Sequence, residues 1–172
     1  MILETVKYFF RFIFIILVQL LVVNNIQLRT FINPYIYLIF ILTLPVHWKP
    51  WLVVILSFLT GAVMDTFSST PGLHIAATTF MGYLRGFYLR FAASKEDFEG
   101  RIKPVINKKG YVWFMFYAFI MVLAHHTVLF FLEIYGFGEF FRTVFRIICS
   151  TLATLLLILL GQLLFYNIAS RR

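Results

Sequence analysis

Six apolar runs separated by short polar breaks take up most of the chain between Tyr8 and Ile168, and no other feature restricts the fold so severely. About 20 consecutive apolar residues cross a bilayer as a helix, and in hydrocarbon only helices and closed barrels satisfy every backbone N–H and C=O. The runs are continuous and lack the period-two alternation of a barrel strand. The expected fold is therefore an all-α integral membrane protein, a six-transmembrane-helix bundle forming one membrane domain over residues 1–172. The spans fall at about 8–28, 31–46, 51–67, 72–91, 111–135 and 140–168, with a hydrophilic loop at about 92–110. The first run is too long, and lacks the small-residue cleavage site, for a removed signal peptide.

The breaks carry turn chemistry. Asn33-Pro34 opens the second run, where proline suits a first helical turn, and Pro45 with His47-Trp48-Lys49-Pro50 closes it, forcing an antiparallel hairpin with the third. Ser68 to Gly72 makes the corner between the third and fourth runs. The stretch ASKEDFEGRIKPVINKKG reads as an exposed loop with one short amphipathic turn.

The net charge of +8, from 15 Lys and Arg against 7 Asp and Glu, reports topology and contact with anionic headgroups in a chain this apolar. No nucleic-acid partner is expected. With the N-terminus inside, the cytoplasmic face receives Lys7, Arg11, Lys49, Arg90, Lys95, Arg101, Lys103, Lys108, Lys109, Arg171 and Arg172, and the outer face only Arg29, Arg142 and Arg146. That imbalance gives an N-in/C-in orientation. Trp48, Trp51, Tyr111, Trp113 and Tyr166 fall at the inner boundaries, where amphipathic rings favour the headgroup zone. The single cysteine, Cys149, excludes an intrachain disulfide and a cysteine-based metal site.

The polar residues inside the runs are the candidates for function. Asp65 has two readings: a cap for the corner or for the start of the fourth span, or the specific partner that an intramembrane carboxylate suggests by default. His74 lies at the same depth and is a plausible hydrogen-bond partner. Arg85, about 20 Å below the corner at 1.5 Å per residue, cannot pair with Asp65 and reads as snorkelling with Arg90 to headgroups. Gly72, Ala76, Thr79 and Gly86, with Gly82 one step round, form a small-residue face that lets helix backbones approach. His125 and His126, with Glu133 further along the same span, are the best place for a metal or haem, but adjacent histidines point to different faces of a helix and His47 is far away. A packed polar pair is the expectation, with no metal and no cofactor. Glu139, Arg142 and Arg146 form one face that pairs internally or meets a partner. No GxSxG, HExxH or Walker-type loop is present, and enzyme function is not expected.

The stretch GAVMDTFSSTPGLHIAATTFMGYLRG resembles the MreD family of rod shape-determining membrane proteins, in which a glycine precedes an aspartate by a turn, a short polar corner follows, and a small-residue helix ends near Gly-Tyr-Leu. The matching positions are Gly61, Asp65, Gly72, Gly82, Tyr83 and Leu84. Length, six spans and a basic loop after the fourth extend the resemblance over the chain. It implies a non-enzymatic scaffold of the bacterial cell-wall elongation machinery in the inner membrane, with a fold like that of the substrate-binding subunits of vitamin transporters. The implied partners are MreC, through its membrane helix and periplasmic part, and indirectly the MreB filament, RodA and a class B penicillin-binding protein. The expected docking site is Gly61, Asp65, Gly72, His74, Ala76, Thr79, Gly82 and Arg85, glycines supplying close approach and Asp65, Thr79 or His74 the polar contacts.

The alternative is a substrate-binding membrane subunit of a vitamin uptake transporter. Its docking helix would need small residues, and the first run, with Phe12, Phe14, Leu17, Leu20 and Leu21, has none. A third reading, an intramembrane enzyme or cytochrome built on His74, His125 and His126, would show as bound haem or metal.

Overall fold

The computed structural model describes residues 2–25, 31–100, 102–135 and 139–170, with side chains from 6 to 163 within those ranges. Eight α-helices run in the order α1 (Ile2–Leu21), α2 (Leu38–Leu42), α3 (Pro50–Ser68), α4 (Leu73–Ala92), α5 (Lys95–Glu99), α6 (Ile106–Lys109), α7 (Tyr111–Glu133) and α8 (Phe140–Ser170), and no strand occurs among the described residues. Among the described residues four stretches are long and apolar enough to cross a membrane: Val6–Asn25, Pro50–Ser68, Tyr111–Glu133 and Phe140–Leu163. The end of the first expected span beyond residue 25, and Arg29, Arg101, Arg171 and Arg172 of the charge count, lie outside the described residues.

Around an apolar core the chain exposes large apolar side chains and buries many polar ones. Phe91, Val112 and Phe141 stand at 79%, 81% and 86% exposure, whereas Gln19, Ser57, Thr78, Arg85, His125, Ser150 and Thr154 are buried. In water large apolar groups go inside and polar groups out. With hydrocarbon as the solvent, exposed apolar groups carry no penalty and polar groups are driven inward, and the chain is an all-α membrane protein.

The second apolar run departs from expectation. Residues 31–46 do not form a spanning helix: only Leu38–Leu42 is helical, and Tyr37 to Leu42, Leu44 and Val46 are all buried inside the protein. Irregular backbone at membrane depth is tolerated only where protein satisfies its polar groups, and here the surrounding helices do so one group at a time. The Asn33 and Tyr35 N–H groups donate to Ser150 Oγ (3.1 Å) and Thr154 Oγ1 (3.0 Å) of α8. Gln19 of α1 accepts from Tyr37 N–H and donates to the Pro34 carbonyl, both at 3.2 Å. The Tyr117 hydroxyl of α7 donates to the Leu42 carbonyl (3.0 Å), Arg85 of α4 donates to that of Leu44, and Val46 N–H donates to the Ile102 carbonyl (3.0 Å). Tyr117→Phe would strand the Leu42 carbonyl and Arg85 Nε, which donates to the phenol at 2.9 Å. A loss of about 1–3 kcal/mol in unfolding free energy is expected, to be read from thermal unfolding in detergent.

The α3–α4 hairpin is the tightest contact in the bundle. A Cβ on Gly61 would lie 2.6 Å from the His74 carbonyl oxygen and Ile75 Cα, and one on Gly82 would lie 2.2 Å from Ser57 Oγ. Pro50 occupies the first turn of α3, and the corner is turned by left-handed Ser69 (φ 54°) and Gly72 (φ 88°). We call this the corner end of the bundle, and the opposite end, bearing residues 92–110, the loop end.

The loop contains two short helices rather than one turn, and it is fastened. Ser94 and Asp97 form a reciprocal cap, Ser94 N–H donating to Asp97 Oδ2 (2.7 Å) and Asp97 N–H to Ser94 Oγ (3.4 Å), while Lys109 closes the loop onto Asp97. Burial alone would push the Asp97 carboxyl up, but the Lys109 ammonium and the Ser94 groups outweigh it and hold it below the ordinary range. Trp113 Nε1 donates to the Ala92 carbonyl (3.2 Å) under the Lys109 ammonium.

Candidate functional site

Asp65 lies in the last turn of α3, yet all its acceptor capacity serves the start of α4. Oδ1 accepts from Thr70 Oγ1 (3.0 Å) and His74 N–H (2.9 Å), and Oδ2 from the N–H groups of Gly72 and Ile75 (3.0 Å each). Those N–H groups are among the orphan donors of a helix N-terminus, and a carboxylate there also meets the positive end of the helix dipole. Capping is the role observed. His74 contributes its backbone to Asp65, not its ring.

Arg85 does not snorkel. It is 1% exposed, with Nε on Tyr117 and a terminal nitrogen on the Leu44 carbonyl, so it belongs to the bracing of the buried second segment. The small-residue face is likewise turned inward: Gly61 and Gly82 are buried between α3 and α4, and Gly86 packs on Pro50, where an added Cβ would lie 3.3 Å from the ring. Gly72 has open space around it and is there for its left-handed backbone. Ala76 and Thr79 are half-buried on α4, and Thr79 Oγ1 is a buried hydroxyl without a hydrogen-bond partner among the described residues. At Gly61 and Gly82 the close approach is made within the chain's own hairpin.

What the sequence does not reveal is Tyr37. Its hydroxyl, at the centre of the bundle, meets His74 Nδ1 (2.9 Å) and His125 Nε2 (2.8 Å), with Thr78 Oγ1 at 3.4 Å. The Tyr35 ring packs against those of His74, His125 and His126 at centroid distances of 5.1, 5.8 and 5.4 Å. His125 Nδ1 is buried and unpartnered among the described residues. An unpaired buried acceptor costs less than an unpaired N–H, which places the His125 proton on Nε2, donating to Tyr37, and lets Tyr37 donate to His74 Nδ1. His126 is held separately, by the Val122 carbonyl (2.8 Å) and Thr154 Oγ1 (3.4 Å). A proton path through Tyr37 would therefore end at His125. Among the described residues no three His, Cys, Asp or Glu side chains converge as ligands for a metal ion.

Two cavities adjoin this core. At the corner end, a cleft of about 640 Å³ is walled by Asn24, Asn33, Tyr35, His74, Glu133 and Arg146 among others. Arg146 grips Glu133 through two nitrogens (3.0 and 3.2 Å) with its guanidinium 4.1 Å above the Phe130 ring, and Arg142 pairs with Glu139 at 3.0 Å, so this charged face pairs internally. Along the side of the bundle, an apolar groove of about 470 Å³ lies between α1 and α3, lined by Tyr8, Phe9, Phe12, Phe40, Leu56 and Leu59 among others. Comparison of the chain with family models, with curated proteins and with solved structures finds no match.

Proposed function

We propose that the chain is a non-enzymatic scaffold of the bacterial cell-wall elongation machinery, a member of the MreD family that holds MreC and, through it, MreB, RodA and a class B penicillin-binding protein. It would sit in the inner membrane in six passes, N-in and C-in, the four long apolar stretches being joined by the irregular 31–46 segment as the second pass and α4 as the fourth. The observation that carries the reading is the α1–α3 groove. Lipid gives no hydrophobic drive between helices, so a partner helix is held by shape, and an apolar groove walled by aromatic and leucine side chains suits the single membrane helix of MreC. The Gly61–Asp65–corner–Gly82 stretch, on which the resemblance rests, builds the rigid hairpin that forms one wall.

Filling the groove with Leu52→Trp plus Leu59→Trp should lower MreC co-purification about tenfold, equivalent to about 1.4 kcal/mol, with membrane insertion and monodispersity retained. Ser68→Trp, in the cleft instead, should co-purify MreC like the unaltered protein. Full recovery of MreC with the filled groove would overturn the reading.

The cleft supports the second reading, a vitamin-transporter subunit. Its volume lies within the roughly 300–1,000 Å³ of small-molecule sites, and polar groups converge on its wall. A vitamin bound to the purified protein would put this reading first.

A further inference from the structure

A guanidinium removed from water without an opposite charge is among the costliest arrangements in a protein, and Arg85 is in that position. Both of its hydrogen-bond acceptors, Tyr117 Oη and the Leu44 carbonyl, are neutral. Among the described residues the two buried carboxylates are engaged elsewhere, Asp65 at the corner and Asp97 with Lys109. Arg85 also lines a pocket of about 230 Å³ at the loop end, between the turn after Val46, the start of α3 and the last turns of α4. Lys49 and Arg90, both exposed, stand at the same pocket, and the N-terminus of the 19-residue helix α3 opens onto it at Pro50. Three cations and the positive end of a helix dipole thus converge on one small space. His47 and Trp48 also line the pocket, and Val46, Leu89 and Phe98 give it apolar surface.

We infer that this pocket binds a phosphate group, with Arg85 as the buried anchor and Lys49 and Arg90 as the rim. The missing countercharge at Arg85 requires an anion, and guanidinium recognises phosphate oxygens through paired N–H groups. The space accommodates a phosphate with part of a glycerol, and the apolar wall suits the start of an acyl chain, so the source is either the headgroup of an anionic phospholipid or free inorganic phosphate. Basic pockets between membrane helices bind lipid headgroups in this manner.

The test uses the intact protein in detergent, its Tm followed at matched ionic strength with phosphatidylglycerol, phosphatidylcholine or inorganic phosphate. Phosphatidylglycerol should raise Tm by about 3 °C or more, phosphatidylcholine, whose headgroup is neutral overall, should raise it far less, and Lys49→Gln/Arg90→Gln should remove most of the rise. Arg85 is left in place because it also holds Leu44. A control, Lys95→Gln/Lys108→Gln, removes the same charge at two residues that do not line the pocket and should keep the full effect. A rise with inorganic phosphate alone assigns the pocket to the free ion, and a rise confined to phosphatidylglycerol assigns it to the headgroup. No rise with either anion, an equal rise with phosphatidylcholine, a full rise in the rim variant, or an equal loss in the control overturns the inference.

Discussion

Gly61→Leu should leave almost no folded protein after detergent extraction, and Gly61→Ala should already lower Tm by several degrees. The reason is that the Cβ of any other residue meets backbone, not a side chain that can turn away: the His74 carbonyl oxygen and Ile75 Cα would both lie 2.6 Å from it. Relief requires α3 and α4 to separate, and overpacking costs about 1–3 kcal/mol even where side chains can rearrange, out of a total stability of about 5–15 kcal/mol. Gly72→Leu supplies the contrast. A Cβ there meets nothing within 4 Å, but the residue must hold φ at +88°, a strain of about 1–2 kcal/mol that alanine shares. Size-exclusion profiles and Tm values of the alanine and leucine variants at both positions separate the two mechanisms. The effect grows with side-chain size at Gly61 and is flat at Gly72. A wild-type Tm for Gly61→Leu would show that the hairpin is not packed as described.

Asp65→Ala carries the second large expected effect, a destabilisation of about 3–5 kcal/mol. Four donors lose their acceptor at once, three of them backbone N–H groups at the start of α4, and each unsatisfied buried donor costs about 1–3 kcal/mol before water re-enters the corner. Hydrogen exchange localises the loss. The Gly72, His74 and Ile75 amides should exchange about a hundredfold faster while those in the middle of α7 are unchanged. Asn retains an acceptor oxygen but turns an amide N–H₂ toward N–H groups, so Asp65→Asn should recover only part of the stability. Unaltered protection of the three amides in Asp65→Ala would contradict the capping role.

The parts of this fold that depend on near neighbours in sequence were legible there. The bounds expected at 51–67 and 72–91 fall within a residue or so of helices Pro50–Ser68 and Leu73–Ala92, of which the first is among the stretches apolar enough to cross a membrane, because proline and the Ser68 to Gly72 corner mark their ends locally. Capping by Asp65 was readable from its distance to the corner. The 31–46 segment was not. Its apolar composition is that of a spanning helix, and what holds it irregular, Gln19, Arg85, Tyr117, Ser150 and Thr154, lies 15 to 119 residues away. A signal existed in the unexplained polar residues of otherwise apolar runs, Gln19, Ser150, Thr151 and Thr154, for which lipid has no use. Arg85 was misread for the same reason: snorkelling is judged from position along one helix, whereas its acceptors are on two other segments. The adjacent histidines were correctly separated by helical geometry, but Tyr37, which ties one of them to His74, is unremarkable until the second segment is known to pass between α4 and α7.

The borrowed acceptors of that second segment also fix an order of events in biogenesis. Asn33 and Tyr35 leave the ribosome 117 and 119 residues before the Ser150 and Thr154 hydroxyls that receive their N–H groups. At about 5–20 residues per second, the interval is on the order of ten seconds. Throughout it the segment must keep its amides satisfied by water, by the insertion machinery or by a transient helix of its own, and the final conformation is reached only by exchanging those partners once α8 arrives. The 31–46 segment is thus laid into the bilayer provisionally, and a helix whose hydroxyls are translated 117 and 119 residues later is the one that converts it to its finished form.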